Sequence, residues 1–558
     1  MLPLLAQFVA PPIQPGPVRL PGPGRPQLQP QPPELAPPRE PATPPLAPEE
    51  PPEEAPEEPK EGAPAQPLPQ IKGFLPYKPG ELARILAPCA AIADPDARLN
   101  SCAAALAARL FSDGYINTRV VQAPGQLEVV EGRIVEIQVS SSSPRLERRL
   151  LRLLRPLEGR VLHLPSLTTA LTQLQRLPGV GLLRTNLNRI GEDSTRALLL
   201  VTAEPGAQPL QGEASFRNDG NAGSGQFRGL GALVKSSSLV AGDTLLVFGE
   251  LNSDSDPELG YFSGSLSYTF PLNEVVSFTT AFGASRRTLV EAAYPFDDLT
   301  FRQLQGLGQF DLTLHESIKG RWFGFAGVSV NRSDAFLASD RFPVIPGGGQ
   351  DAWLRTGFAR IGLGYSGLLG PVALGGTVYG LQGIAGLSTE QQREELAFLG
   401  IEPGRSRAIG AQLAASWRLH SRWQLDLSAA AQAALNPLTN PMGFSLGSDN
   451  GLKGLPGQLV SGDSGVLGAA ELAWSFWRDQ RNDVQLVPFI GAGNVWTDIP
   501  GATLSDSVGA GGVLLRWLRG QHGVLEVGWV HQFQTGSRPF WGDWLLGNGV
   551  YTKIGYRF

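Results

Sequence analysis

The chain has 558 residues, 42% of them hydrophobic and 17% charged, with 68 Gly and a formal net charge of −5. The charged share lies below the roughly 25% of soluble domains, and the slightly acidic balance supplies no basic field to hold nucleic acid. Nowhere do about 18 apolar residues run together, which excludes membrane-spanning helices but leaves a transmembrane barrel open, because barrel strands alternate.

The first ten residues, MLPLLAQFVA, are apolar but lack a basic leader and read as the remnant of a secretory signal. Between 11 and 70, 23 positions are Pro and an acidic stretch runs over 48–62. Such a segment cannot build a core and reads as an extended, partly polyproline II spacer.

From 71 to 207 the pattern changes to two small α/β units, divided at 140. Helices are predicted at 79–87 and 97–112, the second presenting Leu99, Ala103, Leu106 and Leu110 on one face until Asp113-Gly114 ends it. Strands are predicted at 116–121 and 126–139. The second unit repeats the theme with helices at 145–155 and 165–176 and strands at 180–188 and 194–203. Cys89 and Cys102 fall at the predicted ends of neighbouring helices and read as one local disulfide in an oxidising compartment, or as two buried thiols. The five His are scattered with no partners at ligand spacing, so neither a metal site nor a cofactor is expected.

Gly114-Tyr115-Ile116-Asn117-Thr118-Arg119-Val120-Val121, followed by Val130-Glu131-Gly132-Arg133-Ile134, resembles the signature of the POTRA domains of two-partner secretion transporters, the TpsB class. Pro178-Gly179-Val180 is similar to their second POTRA domain. The resemblance implies periplasmic POTRA domains at 71–140 and 141–207. Ile116, Asn117, Thr118, Arg119 and Val120 are then expected to form a strand that takes an extended client by main-chain pairing.

Residues 208–558 read as many strands separated by Gly, Asn, Asp and Ser clusters. In the hairpin GSLSYTFPLNEVVSFTTAF, Leu266, Tyr268 and Phe270 alternate with Ser and Thr, a pattern that fits either a sandwich or a wet-lumened barrel. The C-terminus favours the barrel. Val550, Thr552, Ile554, Tyr556 and Phe558 share one face of the last run, and a terminal aromatic closing an alternating strand resembles the assembly signal of outer-membrane barrels. Sixteen antiparallel strands, the family's number, leave about 22 residues per strand and connection, enough for a tilted 9–11-residue span. The fold class expected is therefore α+β POTRA domains followed by an all-β transmembrane barrel.

The resemblance continues inside the barrel. Asn218-Asp219-Gly220, Gly225-Gln226-Phe227-Arg228 and Gly242-Asp243 are similar to the opening of TpsB barrels. Gly451-Leu452-Lys453-Gly454-Leu455 stands where the superfamily has Val-Arg-Gly-Phe or Tyr at the tip of a sixth loop folded into the lumen. Ser461 to Gly465, Ala470 to Trp474 and Phe489 to Gly493 match the motifs that follow. This sequence departs from the family at Lys453 (family Arg), Leu455 (aromatic) and Gly491 (Asp). An ammonium does not replace a bidentate guanidinium one for one. Leu472, Trp474 and Phe476 point outward by parity, which turns Glu471 inward; a hairpin centred near 481 puts it beside Gly491. Lys453 is therefore expected to dock on Glu471, with Gly491 leaving room for the ammonium.

The Gly462-Asp463-Ser464-Gly465 run lacks a His-Asp pair on a protease scaffold, and the GxG pieces lack a strand-to-helix context. No enzyme is expected. The resemblance implies an exporter of a secreted client that carries an N-terminal secretion domain, embedded as a monomer in outer-membrane lipid. An assembly or import factor of the same superfamily and a passive porin are the rivals.

Overall fold

The computed structural model describes residues 69–175, 180–205, 210–221, 223–236, 238–240, 242–255, 258–290, 298–499, 502–520, 522–535 and 543–558. The expected signal remnant and nearly all of the spacer lie outside the described residues. Described residues up to Pro205 form one compact unit and those from Leu210 another.

In the first unit, helix Pro95–Ser112 starts where Asp94 accepts a hydrogen bond from the Ala97 amide at 2.8 Å and Pro95 supplies a preset φ. Its Cys102, Ala103, Leu106 and Leu110 are buried against helix Pro79–Ala90 and a three-stranded sheet. In that sheet Gln126–Val130 is central, parallel to Gln70–Gly73 and antiparallel to Arg119–Ala123. Cys89 and Cys102 are disulfide-bonded. Cys102 sits inside its helix rather than at an end, and the bridge staples two crossing helices through their buried faces. Tyr77 donates to Asp113 at 2.8 Å; partial burial, together with that carboxylate, pushes the phenol's pKa above its ordinary value.

The division at 140 requires correction. Strand Arg133–Ser141 runs parallel to Asp193–Pro205 in a second sheet, with Val180–Ile190 antiparallel on the far side. The break therefore falls at Glu131-Gly132, a kink between two runs that read as one β-branched strand. Helix Pro144–Leu154, capped by Ser143, buries Leu146, Leu150, Leu153 and Leu154; Leu164–Gln175 adds Leu167, Ala170 and Leu174.

The second unit is a closed antiparallel barrel of sixteen spanning strands, from Gln211–Arg217 to Val550–Arg557, with a two-residue strand at Asp340–Arg341. The last strand closes on the first from Lys553↔Arg217 to Arg557↔Glu213, and Phe558 exchanges two main-chain hydrogen bonds with Gly212, each 3.0 Å. A Cβ at Gly212 would lie 2.3 Å from the Phe558 ring, so Gly there lets the terminal aromatic lie over the first strand. Val550, Ile554, Tyr556 and Phe558 are exposed on the outer face while Tyr551 and Lys553 are buried inside. This alternation matches an apolar band toward lipid and a polar lumen.

A disulfide closing a loop of about 15 residues is worth roughly 3 kcal/mol. Cys89→Ser with Cys102→Ser should therefore lower the stability of the first unit by about 2–4 kcal/mol. In the parent, thiol alkylation followed by mass spectrometry should label neither Cys until it is reduced.

Candidate functional site

Between the eleventh strand, Trp423–Ala434, and the twelfth, Ser464–Arg478, the chain leaves the wall and folds into the barrel. A short ladder, Phe444–Leu446 with Val460–Gly462, closes the base of this excursion. Leu446, Leu452, Leu455, Leu459 and Val460 are buried against inward-facing Val487, Phe489, Ala510, Leu514 and Val530. Strict alternation predicts a polar lumen, yet the wall that receives the loop is apolar. Leu455, in the family's aromatic position, fills this patch completely buried. Gly454 takes φ +86°, and a Cβ there would lie 2.5 Å from Val530 Cγ1. Both the turn and the close approach exclude a side chain.

Lys453 Nζ sits 2.9 Å from Glu471 Oε1 and 3.5 Å from Glu526 Oε2. Arg516 bridges the same two carboxylates, at 2.8 Å to Glu471 and 2.6 Å to Glu526. The result is an alternating ring of two cations and two anions, with Lys553 opposite Glu526 in the register. Sequence reasoning missed Arg516 and Glu526, although parity could have found them. Arg516 lies between outward Leu515 and Trp517, and Glu526 stands just before outward Val527.

The expected role of Gly491 is corrected. Glu471 pairs with Phe489 and Gly491 with Ala469, two positions from the expected register. The hairpin centre, with Arg478 opposite Asp483, accounts for one position, and a bulge between Ser475 and Trp477 for the other. The space over Gly491 is taken by Leu452, whose Cδ2 would be 3.1 Å from an added Cβ, and not by the ammonium.

The loop has a second anchor. Asp449 Oδ1 lies 2.5 Å from Arg228, whose guanidinium also holds Glu250 at 2.8 Å, and the Arg228 side chain is 4% exposed. Beside it the Gly457 amide donates to Gly220 O at 2.8 Å and the Gln458 amide to Asn221 Oδ1 at 3.0 Å. The loop thus spans the lumen from the second and third strands to the twelfth, fourteenth and fifteenth.

The expected client strand at Ile116–Val120 is also corrected. Ile116, Asn117 and Thr118 form a turn, and only Arg119 and Val120 enter a strand. Asn117 donates to Thr195 O at 2.9 Å, Thr118 accepts from the Gly132 amide at 3.2 Å, and Arg119 donates to Ser194 Oγ at 3.0 Å. These side chains join the two sheets of the first unit.

Residues 353–514 match the family model described as haemolysin secretion/activation protein ShlB/FhaC/HecB. The matched stretch runs from the eighth strand into the fourteenth and includes the loop that folds into the lumen. Among solved structures it is similar to CdiB from Escherichia coli (17% identity, 90% of this chain and 93% of that one, TM-score 0.57). It is also similar to CdiB from Acinetobacter baumannii (15% identity, 89% and 91%, TM-score 0.51). No curated protein matches it by sequence. The resemblance to two-partner secretion transporters expected from the sequence is borne out, and a barrel of that kind implies the outer membrane.

An exposed ion pair contributes about 1 kcal/mol or less, but removing one partner of a buried set leaves an uncompensated charge at about 3 kcal/mol. Arg516→Ala, which leaves Lys453 as the cation facing both carboxylates, should release the seated loop less than Lys453→Ala, which removes the loop's own contact. Lys453→Ala and Glu471→Gln should not add when combined. Resting conductance in planar bilayers measures loop release; strictly additive increases would show that the two do not act through one contact.

Proposed function

We propose that this chain captures a secreted client protein in the periplasm and passes it outward through the barrel. Three features support the reading: the family of the barrel, a loop tied inside the lumen by discrete charge contacts, and a preceding unit with free sheet edges. In the described residues Val180–Ile190 pairs only with Asp193–Pro205, which leaves one side of an eleven-residue strand without a neighbour. An unpaired edge of that length takes an extended client by main-chain hydrogen bonds, with little demand on its sequence. The proposed acceptor is this edge, together with Arg119–Ala123, and not the turn at 116–118. Client folding outside the cell supplies direction, so the reading needs no nucleotide. Lys453, Gly454, Leu455 and Glu471 hold the loop in the resting barrel, and a passing chain has to displace it.

Deleting 69–205 tests the separation of roles. The shortened chain should still migrate as a heat-modifiable barrel, while the protein that deletion of the whole chain removes from the culture medium should stay absent. Normal export by the shortened chain would favour a passive pore.

A further inference from the structure

The outer face of the barrel is not uniform. On the fifth to eighth strands, Val276–Thr288, Leu299–Glu316, Gly320–Leu337 and Trp353–Leu369, the outward positions toward the long-loop end include Arg286, Arg302, Arg332 and Arg355, one or two outward positions below the strand ends. Arg407 continues the row on the tenth strand, where it donates to Gln382. Among the described residues the same outward row carries one acid against these five arginines, Asp334, held by Arg332 at 2.9 and 3.0 Å. The corresponding outward positions on the thirteenth and fourteenth strands are Asn494, Trp496, Ser505 and Ser507.

The pairing within the row is costly without an added anion, most of all at Arg286 and Arg302, since Arg332 already holds Asp334. Arg286 stands directly opposite Arg302, and Arg332 directly opposite Arg355, in the strand register. Like charges directly across a sheet destabilise it. The guanidiniums are also propped on aromatic faces, Arg302 at 4.5 Å over Phe336 and Arg332 at 4.7 Å over Trp353. Stacking holds their planar forks on the surface.

Depth fixes the chemistry outside them. Along Gly320–Leu337 the outward side chains run from Trp322 through Val328 to Arg332. Ten residues at about 3.3 Å rise, tilted by about 45°, give roughly 23 Å, the height of the apolar band of an outer-membrane barrel. Arg332 and its neighbours therefore sit where hydrocarbon gives way to headgroups, on the long-loop and hence outer side. Strands about 4.8 Å apart spread the row over roughly 20–25 Å.

We propose that this arginine row binds the phosphorylated headgroup of an outer-leaflet glycolipid. Each phosphate lies between two guanidiniums of a cross-strand pair and turns their repulsion into charge-assisted hydrogen bonds. The lipid's acyl chains lie along Phe282, Leu304, Val328 and Ile361, which are exposed below the row. The inference rests on the outer-membrane barrel and not on client export.

The full chain in phosphatidylcholine nanodiscs, titrated with bisphosphorylated lipid A and read by native mass spectrometry, tests it. The parent should bind, and dephosphorylated lipid A should not. An arginine near a charged leaflet contributes about fivefold in binding. Arg286→Gln with Arg302→Gln, and Arg332→Gln with Arg355→Gln, should therefore each weaken binding by about tenfold or more. Lys235→Gln with Arg519→Gln, at the short-turn end, should bind like the parent. Heat modifiability on gels establishes that each variant is folded, and either arginine pair alone suffices if the other fails. Equal binding by the folded arginine variants, equal binding of phosphatidylglycerol, or displacement of the lipid by millimolar inorganic phosphate would each overturn the proposal.

Discussion

A strand that crosses hydrocarbon must turn its charged side chains away from lipid, and a closed barrel leaves only one place for them, the lumen. That constraint places Glu471, Arg516, Glu526 and Lys553 on one inner wall and Arg228 with Glu250 on another. Charges confined in this way need partners, because the partly buried lumen screens them poorly. The wall supplies most of them through its own cross-strand pairs. The sixth loop completes both sets, with Lys453 at one end and Asp449 at the other.

Charge and apolar contact divide the work of seating the loop. Burying a Leu or Val side chain is worth about 1.5–3 kcal/mol, so the five aliphatic residues of the loop outweigh the net contribution of its ion pairs. Apolar packing is tolerant of small shifts, whereas the ring of Lys453, Glu471, Arg516 and Glu526 accepts one position. Packing therefore supplies the strength of the seat, and the ion pairs supply its register. This arrangement also explains how a chain without the family's loop arginine and strand aspartate still seats its loop. One ammonium has two carboxylates in reach, and Arg516 fixes both of them.

In the first unit, the motif that most resembles a functional signature does structural work. Gly114, Asn117, Thr118, Arg119 and Gly132 cluster where one sheet hands over to the next. A Cβ at Gly132 would lie 2.1 Å from Asn117 Oδ1, and one at Gly114 2.5 Å from Pro165. The motif's small and polar residues are those a tight junction between two modules requires, and only its last residues, Arg119 to Val121, run on into an edge strand.

Alternation along single strands was legible in the sequence, and with it the inward parity of Glu471, the outward face ending at Phe558, and the helix faces built on Leu99 to Leu110. Each of these depends on local geometry, with a period of 2 or 3.6, and needs no knowledge of the neighbouring strand. The tertiary structure decided everything that depends on which strands lie side by side. Glu471 opposes Phe489 because the hairpin centre and a one-residue bulge near Trp477 each shift the pairing by one, and nothing in the local pattern marks either. Residues 133–140 belong to the second sheet because they pair with Asp193–Pro205, some sixty positions later. Arg516 and Glu526 join Lys453 only once the fourteenth and fifteenth strands are laid beside the twelfth and thirteenth. Parity is a property of one strand, while register and neighbourhood belong to the closed barrel.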